Sequence, residues 1–330
     1  MSDRSILRDV AQAAGVSLRT ASRVLNDDPR VAASTRQRVQ GVMADLRYTP
    51  DLMARSLRGG VDATIGLVVE SIADPFFAEL VAAVESATSE DGRSVLVAST
   101  HGDPGHESRA VTELLRRRVS GLLIVPTATD HSWLAGAAVP LVLVDRPAPG
   151  LDADVVGIDD RGAAFGAVSH LIAHGHRDIA YIGDYSRVAT SAARLAGYRD
   201  AMARHGLPVA ERLVHADCPT PRSASAAMGG LLAGSDQPTA VFSAATRCSL
   251  GVVPAMHEHR RTDIALVGFG DFAMADTLVP AVTVVNHAGS GVGQAAIARL
   301  LRRIREPGLR REAIQVPVAL VERGSGELRP

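Results

Sequence analysis

The chain changes its hydrophobic rhythm near residue 62. Before that point apolar residues recur three and four apart, the spacing of helices that bury one face. Ile6, Val10 and Ala14 fall on one face of a first helix that Ser5 can cap. Gly15 admits the left-handed backbone of a tight turn, and Val16 plugs the angle that follows. A second helix is predicted over Leu18–Leu25, capped by Ser17, with Ala21, Val24 and Leu25 inward. A third, Thr35–Leu46, completes a small core through Val39, Val42 and Leu46. Thr49 before Pro50 is pushed out of helix, and Asp51–Leu57 predicts a short helix ending at Gly59-Gly60. Isolated helices below about 12–15 residues are marginal, so that segment is either a linker or a helix that folds only against a partner.

Beyond residue 62 short apolar runs alternate with helical stretches. Strands are predicted at Ile65–Val69, Ser94–Ala98, Gly121–Val125, Leu141–Val144, Val155–Ile158, Ile179–Ile182, Ala240–Ser243, Ile264–Val267, Val282–Val285 and Ile314–Val321. Helices are predicted at Phe76–Glu90, His106–Arg118, Gly162–His174, Thr190–His205 and Gly291–Ile304, among others. Continuously apolar strands alternating with helices imply parallel sheets covered on both faces. About ten strands suggest two such sheets with a cleft between them, and ligands of these sheets sit beyond the carboxyl ends of the strands.

Composition adds a globular chain of 330 residues, 46% hydrophobic and 22% charged. No apolar run approaches the about 18–20 residues that span a bilayer. The start Met1-Ser2-Asp3-Arg4-Ser5 has no secretory pattern, and Cys218 and Cys248 form no CxxC pair, so a reducing cytoplasm is expected. The net charge of −1 hides an asymmetry. Residues 1–60 hold ten Arg against six Asp, a net +4, and the remainder nets −5. A basic end on an acidic body suits one anionic partner at that end.

That end also has the form of a helix-turn-helix, two helices joined by a short Gly-containing turn. The second helix would present Leu18, Arg19, Ser22 and Arg23 outward. Arg19 suits guanine O6 and N7, while Ser17, Thr20 and Arg23 suit phosphates. Pattern alone leaves open a plain helical hairpin with exposed arginines.

Longer strings of residues narrow the choice. Asp9-Val10-Ala11, Ala14-Gly15-Val16-Ser17, Thr20-Ala21-Ser22-Arg23-Val24-Leu25-Asn26, Thr35-Arg36 and Ala54-Arg55-Ser56-Leu57-Arg58 resemble the DNA-binding head and hinge of LacI/GalR-family regulators. In the body, Asp74-Pro75-Phe76-Phe77, Val144-Asp145-Arg146, His174-Gly175-His176-Arg177-Asp178, Arg194-Leu195-Ala196-Gly197-Tyr198 and Val267-Gly268-Phe269 resemble that family's effector core. The resemblance spans essentially the whole chain. It implies a helix-turn-helix domain over residues 1–47, a hinge over 48–61 and a core over 62–330. It also implies that the core is two doubly wound α/β subdomains like those of periplasmic binding proteins, about 62–159 with 288–318 and about 160–287 with 319–330.

The implied function is a sequence-specific regulator, most simply a repressor. Its operator affinity would be switched by a small molecule, a sugar or sugar derivative, held between the subdomains. DNA contacts are implied for Ser17, Leu18, Arg19, Thr20, Ser22, Arg23, Asn26, Tyr48, Ala54, Arg55 and Leu57, with Leu57 as a minor-groove wedge. Effector contacts are implied for Asp74, Phe76, Phe77, Asp145, Thr190, Arg194, Asp271 and Asn286. Two heads reading a palindromic operator imply a homodimer, and no heptads follow Val321 to build a tetramer.

The chain departs from the family in instructive places. Ala32 stands where a Ser often caps the third helix. Ala245-Thr246 replaces the usual Asn-Asp, Gly270-Asp271 the usual Asp-Asp, and Cys218 or Pro219 stands where relatives place a ring. The loss of two polar positions argues against a simple hexose.

Other chemistries are poorly supported. Gly289-Ser290-Gly291-Val292-Gly293-Gln294 lacks the third glycine of a dinucleotide loop. His170, His174 and His176 have no thiolate partner, so capping or core roles are expected rather than metal. No GxSxG or Cys–His arrangement supports a nucleophile, so neither an enzyme nor a cofactor is expected. A transport protein of the periplasmic kind is the rival class.

Overall fold

The computed structural model describes residues 6–25, 28–46, 48, 64–287 and 289–330. The chain divides into two compact units, Met1–Asp62 and Ala63–Pro330.

The first unit contains three described helices, α1 (Leu7–Ala13), α2 (Leu18–Leu25) and α3 (Ala33–Asp45). Val10, Ala14, Val24 and Val39 form its core, with Val42, Leu46 and Tyr48 packed against it. Ile6 is not part of that core. It is the N-cap of α1 and exposed, and its backbone N–H donates to the Asp9 carboxylate at 2.7 Å. Leu25 is only half-buried. Ala32 occupies the N-cap of α3 and offers no side-chain acceptor to its free N–H groups.

The second unit contains two six-stranded sheets. Sheet I runs β11-β5-β4-β3-β1-β2 and is parallel throughout. Its strands are β1 (Thr64–Val69), β2 (Ser94–Ser99), β3 (Gly121–Ile124), β4 (Leu141–Asp145), β5 (Asp154–Gly157) and β11 (Ala313–Gln315). Helix α4 (Pro75–Glu90) covers one face with α10 (Gly289–Arg305), through Leu80, Val84, Val292 and Leu300. Helix α5 (Pro104–Arg116) covers the other through Val111 and Leu114.

Sheet II runs β12-β10-β9-β8-β6-β7. Its strands are β6 (Ile179–Ile182), β7 (Val214–His215), β8 (Ala240–Ser243), β9 (Ala265–Phe269), β10 (Thr283–Asn286) and β12 (Ala319–Val321). Helices α6 (Asp160–Ala173) and α7 (Ala189–Arg204) cover one face, α8 (Pro221–Ala233) and α9 (Thr246–Glu258) the other. The segment read as one strand, 314–321, is two. Pro317 cannot donate to a ladder, and the halves part to opposite sheets, where β12 pairs antiparallel with β10.

The Gly289–Gly293 run has a packing role. A Cβ at Gly289 would lie 2.1 Å from the Phe76 carbonyl, and one at Gly293 2.7 Å from that of Leu80. Only bare backbone lets α10 approach α4 this closely. The histidine trio also serves the fold. His170 Nε2 lies 2.6 Å from Glu327, and the ring of buried His176 bridges the Leu328 carbonyl (2.9 Å) and the Thr239 hydroxyl (3.0 Å). Glu327 further accepts from the Thr283 hydroxyl and the Gly324 N–H. Among the described residues no cluster of His, Cys, Asp and Glu is arranged to hold a metal, and no helix is long and apolar enough to cross a membrane.

Candidate functional site

Two surfaces have functional character, one in each unit. In the first, Ser17 caps α2 by accepting from the Thr20 N–H at 3.1 Å, and the two hydroxyls lie 2.9 Å apart. The cap fixes where the helix starts, so Leu18 and Arg19 stand exposed on its first turn. Arg19 has no ion-pair partner among the described residues. Ser22 is half-buried, and Arg23 lies 3.7 Å from Asp28, a carboxylate already gripped by Arg30 through two bonds of 2.9 and 2.8 Å. Tyr48 packs half-buried on the helical core. Asn26, Ala54, Arg55 and Leu57, with the hinge segment, lie outside the described residues.

In the second unit, loops leaving the carboxyl ends of both sheets meet at a cleft. Sheet I contributes Glu70, Asp74, Phe76 and Phe77 beyond β1, and Asp145 and Arg146 at the end of β4. Sheet II contributes Asp184, Thr190, Ser191 and Arg194 beyond β6, Ala245, Thr246 and Arg247 beyond β8, and His287 beyond β10. The cavity volume is about 40 Å³, room for a few waters.

Local sequence sets each of these side chains. Asp74 is the N-cap of α4, accepting from the Phe76 N–H at 3.0 Å, with Pro75 in the first turn. That leaves its second oxygen aimed into the cleft. Asp145 has φ of 71°, the left-handed region that a non-glycine residue adopts at a cost. At this strained point β4 ends and its carboxylate turns to Arg146, 2.9 Å away.

The cleft is dense with ion pairs. Arg146 also reaches Glu70 at 3.2 Å and the Pro126 carbonyl at 2.6 Å. Arg194 donates to Asp160 at 2.6 Å and to the Ala244 carbonyl at 3.0 Å, its guanidinium 4.0 Å above the Phe269 ring. Arg247 meets Glu70 at 2.8 Å, Asp74 at 3.2 Å and Asp184 at 3.3 Å. His287 stacks on Phe76 with centroids 4.6 Å apart.

Titration follows these contacts. Burial pushes the Glu70 carboxyl up, but Arg247 and Arg146 together hold it below its ordinary value. For Asp74 burial wins over Arg247, and its carboxyl is raised. Burial lifts Asp160 to about 6 against the pull of Arg194, with Asp145 adding to the rise. Burial and nearby Arg194 depress His287 to about 3, so the ring is neutral at pH 7.

Six of the eight expected cleft residues, Asp74, Phe76, Phe77, Asp145, Thr190 and Arg194, line the cavity together. Asp271 and Asn286 do not. They line a smaller neighbouring pocket, and the Asp271 carboxylate is held by Arg323 at 2.5 and 2.9 Å. Cys218 lies in the core of sheet II. Gly270 clarifies two departures together. Its φ is +93°, and a Cβ there would fall 2.0 Å from the Thr246 hydroxyl, so Thr246 occupies space a side chain at 270 would need. Glu70, Asp184, Arg247 and His287 were missed, and Arg146 stood in the Val144-Asp145-Arg146 string without a cleft role. The only local signal was an excess of charge at strand ends that otherwise read as apolar.

Known proteins align with both surfaces. The sequence pattern of bacterial regulatory proteins of the lacI family matches residues 6–51, and that of a periplasmic binding protein-like domain matches residues 168–326. The ribose operon repressor of Escherichia coli (strain K12) is 33% identical over 97% of this chain and 99% of its own length. The HTH-type transcriptional regulator GalR of Salmonella typhimurium (strain LT2) is 33% identical over 85% of this chain and 84% of its own. Among solved structures, the lac repressor dimer bound to operator and the anti-inducer ONPF superimposes with a TM-score of 0.87 at 28% identity, covering 98% of this chain and 99% of that one. The transcriptional regulator CelR in complex with cellobiose gives 0.72 at 29% identity, covering 98% and 100%. Carrying the lacI-family pattern at its head and matching the ribose operon repressor from end to end, the chain belongs to the LacI family of bacterial regulatory proteins.

Proposed function

We propose that the chain is a transcriptional repressor that reads a palindromic operator as a homodimer and changes its grip when a small molecule occupies the cleft. It acts in the cytoplasm, by binding rather than by catalysis. The repressors it resembles, one of them solved as a dimer on operator DNA, support this reading. The observation that carries it is the start of α2, where a serine cap leaves Arg19 exposed on the first helical turn, with no ion-pair partner among the described residues. A recognition helix presents that turn to the major groove. Ser17, Leu18, Thr20, Ser22 and Arg23 surround Arg19 as phosphate and base contacts, and the cleft side chains Asp74, Phe76, Phe77, Asp145, Thr190 and Arg194 contact the effector. The assigned units are 1–47 for DNA reading, 48–61 for the hinge and 62–330 for effector binding and dimerisation.

Binding-site selection with wild type and Arg19→Ala tests the DNA role. The variant should lose about 1–3 kcal/mol of discrimination at one base pair per half-site. Unaltered selection would remove Arg19 from base reading.

A further inference from the structure

The cleft already contains a cation, supplied by the chain itself. Arg247, on the first turn of α9, points each nitrogen of its guanidinium at a different carboxylate. Glu70 (2.8 Å) and Asp74 (3.2 Å) come from the end of sheet I, and Asp184 (3.3 Å) from the end of sheet II. The three acids form a cage whose walls belong to both sheets, and a positive group bridges them.

The surrounding charges are unbalanced. Five carboxylates, Glu70, Asp74, Asp145, Asp160 and Asp184, face three guanidinium groups, Arg146, Arg194 and Arg247. His287 is neutral at pH 7, so the formal count leaves two surplus negative charges, with little water to screen them. The raised Asp74 and Asp160 carboxyls reflect burial in that setting, with Glu70 and Asp145 adding to it.

Donors and acceptors are as unequal as the charges. Arg146 spends its nitrogens on Pro126, Asp145 and Glu70, and Arg194 spends two of its own on Asp160 and Ala244. An incoming anion would have to pull these groups from their carboxylates. Each carboxylate oxygen, by contrast, has two lone-pair sites, and the Asp74 and Asp184 oxygens that face Arg247 each take a single ion pair there.

We infer that the effector of this cleft carries a positive charge, an ammonium or amidinium group on a small polar molecule, seated among Glu70, Asp74 and Asp184 in place of the Arg247 guanidinium. The inference rests on the cleft being the effector site. A ligand that replaces Arg247 takes over a contact shared by both sheets, which couples occupancy to their relative position.

The test uses the full chain, with Arg247→Ala to vacate the cage. Thermal unfolding is followed at fixed ionic strength with up to 10 mM ethylguanidinium, the uncharged isostere N-ethylurea, or propionate. Ethylguanidinium should raise the Tm of Arg247→Ala saturably by about 2–4 °C, and wild type less, because its own arginine competes. N-ethylurea and propionate should do nothing, and adding Glu70→Gln should remove most of the ethylguanidinium effect. Equal or larger shifts from N-ethylurea or propionate would overturn the charge assignment. Should Arg247→Ala not fold, Arg247→Gln, which keeps the reach without the charge, carries the same comparison.

Operator binding by wild type in the presence of D-ribose or ribose 5-phosphate separates the two levels. A response to either that Asp145→Asn abolishes leaves the cleft as the effector site and defeats the cationic class. Stabilisation by ethylguanidinium that is indifferent to Glu70→Gln places binding elsewhere and defeats the cationic cage, leaving the cleft to be judged by the operator-binding arm.

Discussion

The two functional surfaces use the same side chain in opposite conditions. On α2, Arg19 is exposed and has no ion-pair partner among the described residues, its charge in reserve. In the cleft, Arg146, Arg194 and Arg247 are buried or nearly so and already tied to carboxylates. An arginine kept in water costs the fold little and is ready for a partner that arrives with its own phosphates. An arginine in a closed cleft must be neutralised from within, because an uncompensated buried charge is too costly to keep. The first surface can therefore bind by simple addition, whereas the second can bind only by exchange.

The comparison predicts a wide gap in stability between two identical substitutions. Arg194→Ala leaves Asp160 buried without its counterion and should cost about 3–5 kcal/mol. Arg19→Ala should change stability by less than about 0.5 kcal/mol. Urea denaturation followed through Trp133, the single tryptophan of the chain and part of the core unit, measures the first, and amide exchange in α2 measures the second. Similar costs would erase the distinction between reserve and engaged charge.

A smaller effect should appear with pH in the cleft. The ordinary histidine value is 6.5 and the folded value of His287 is about 3, so between them the unfolded chain binds a proton that the folded chain refuses. Its contribution is intact above pH 6.5 and is lost as the pH falls toward 3. At pH 5.5 that loss is about 1.4 kcal/mol. Asp160 works the other way, its contribution complete below 3.8 and lost as the pH rises through about 6. The His287→Phe variant retains the stack on Phe76 and drops one titration. From pH 7.5 to 5.5 wild type should lose about 1.4 kcal/mol more stability than this variant, and parallel curves would show His287 to be hydrated.

The smallest change belongs to the helical unit. Ala32→Ser supplies the cap that α3 lacks and should strengthen it by about 0.5–1 kcal/mol. Amide exchange in the first turn of α3 should slow by about 2–5-fold, with no change in the cleft.

Local rules made much of this legible. The bounds of α2, β6 and β8 follow from capping residues and apolar runs alone, and the structure reproduces them. The split of 314–321 turns on Pro317, which cannot donate to a ladder although the apolar run continues across it. Strand β7 has two residues, too few for any periodicity to register. The charge network was beyond such rules. Glu70 and Arg247 are 177 positions apart, and nothing near either one announces the other. Ala245, Thr246 and Gly270 stood out only as departures, and three-dimensional packing was needed to show that Thr246 and Gly270 share one space.

The stitched carboxyl end has a practical consequence. Glu327 and Leu328 complete the hydrogen bonding of His170 and His176, and Pro330 lies against Gly175. These last residues are thus part of the wall of sheet II. An affinity handle or fluorescent reporter fused there would pull on that wall, and trimming even three residues would expose polar atoms built to be dry. Engineering that must leave the sensing half of the molecule undisturbed should start from a surface loop.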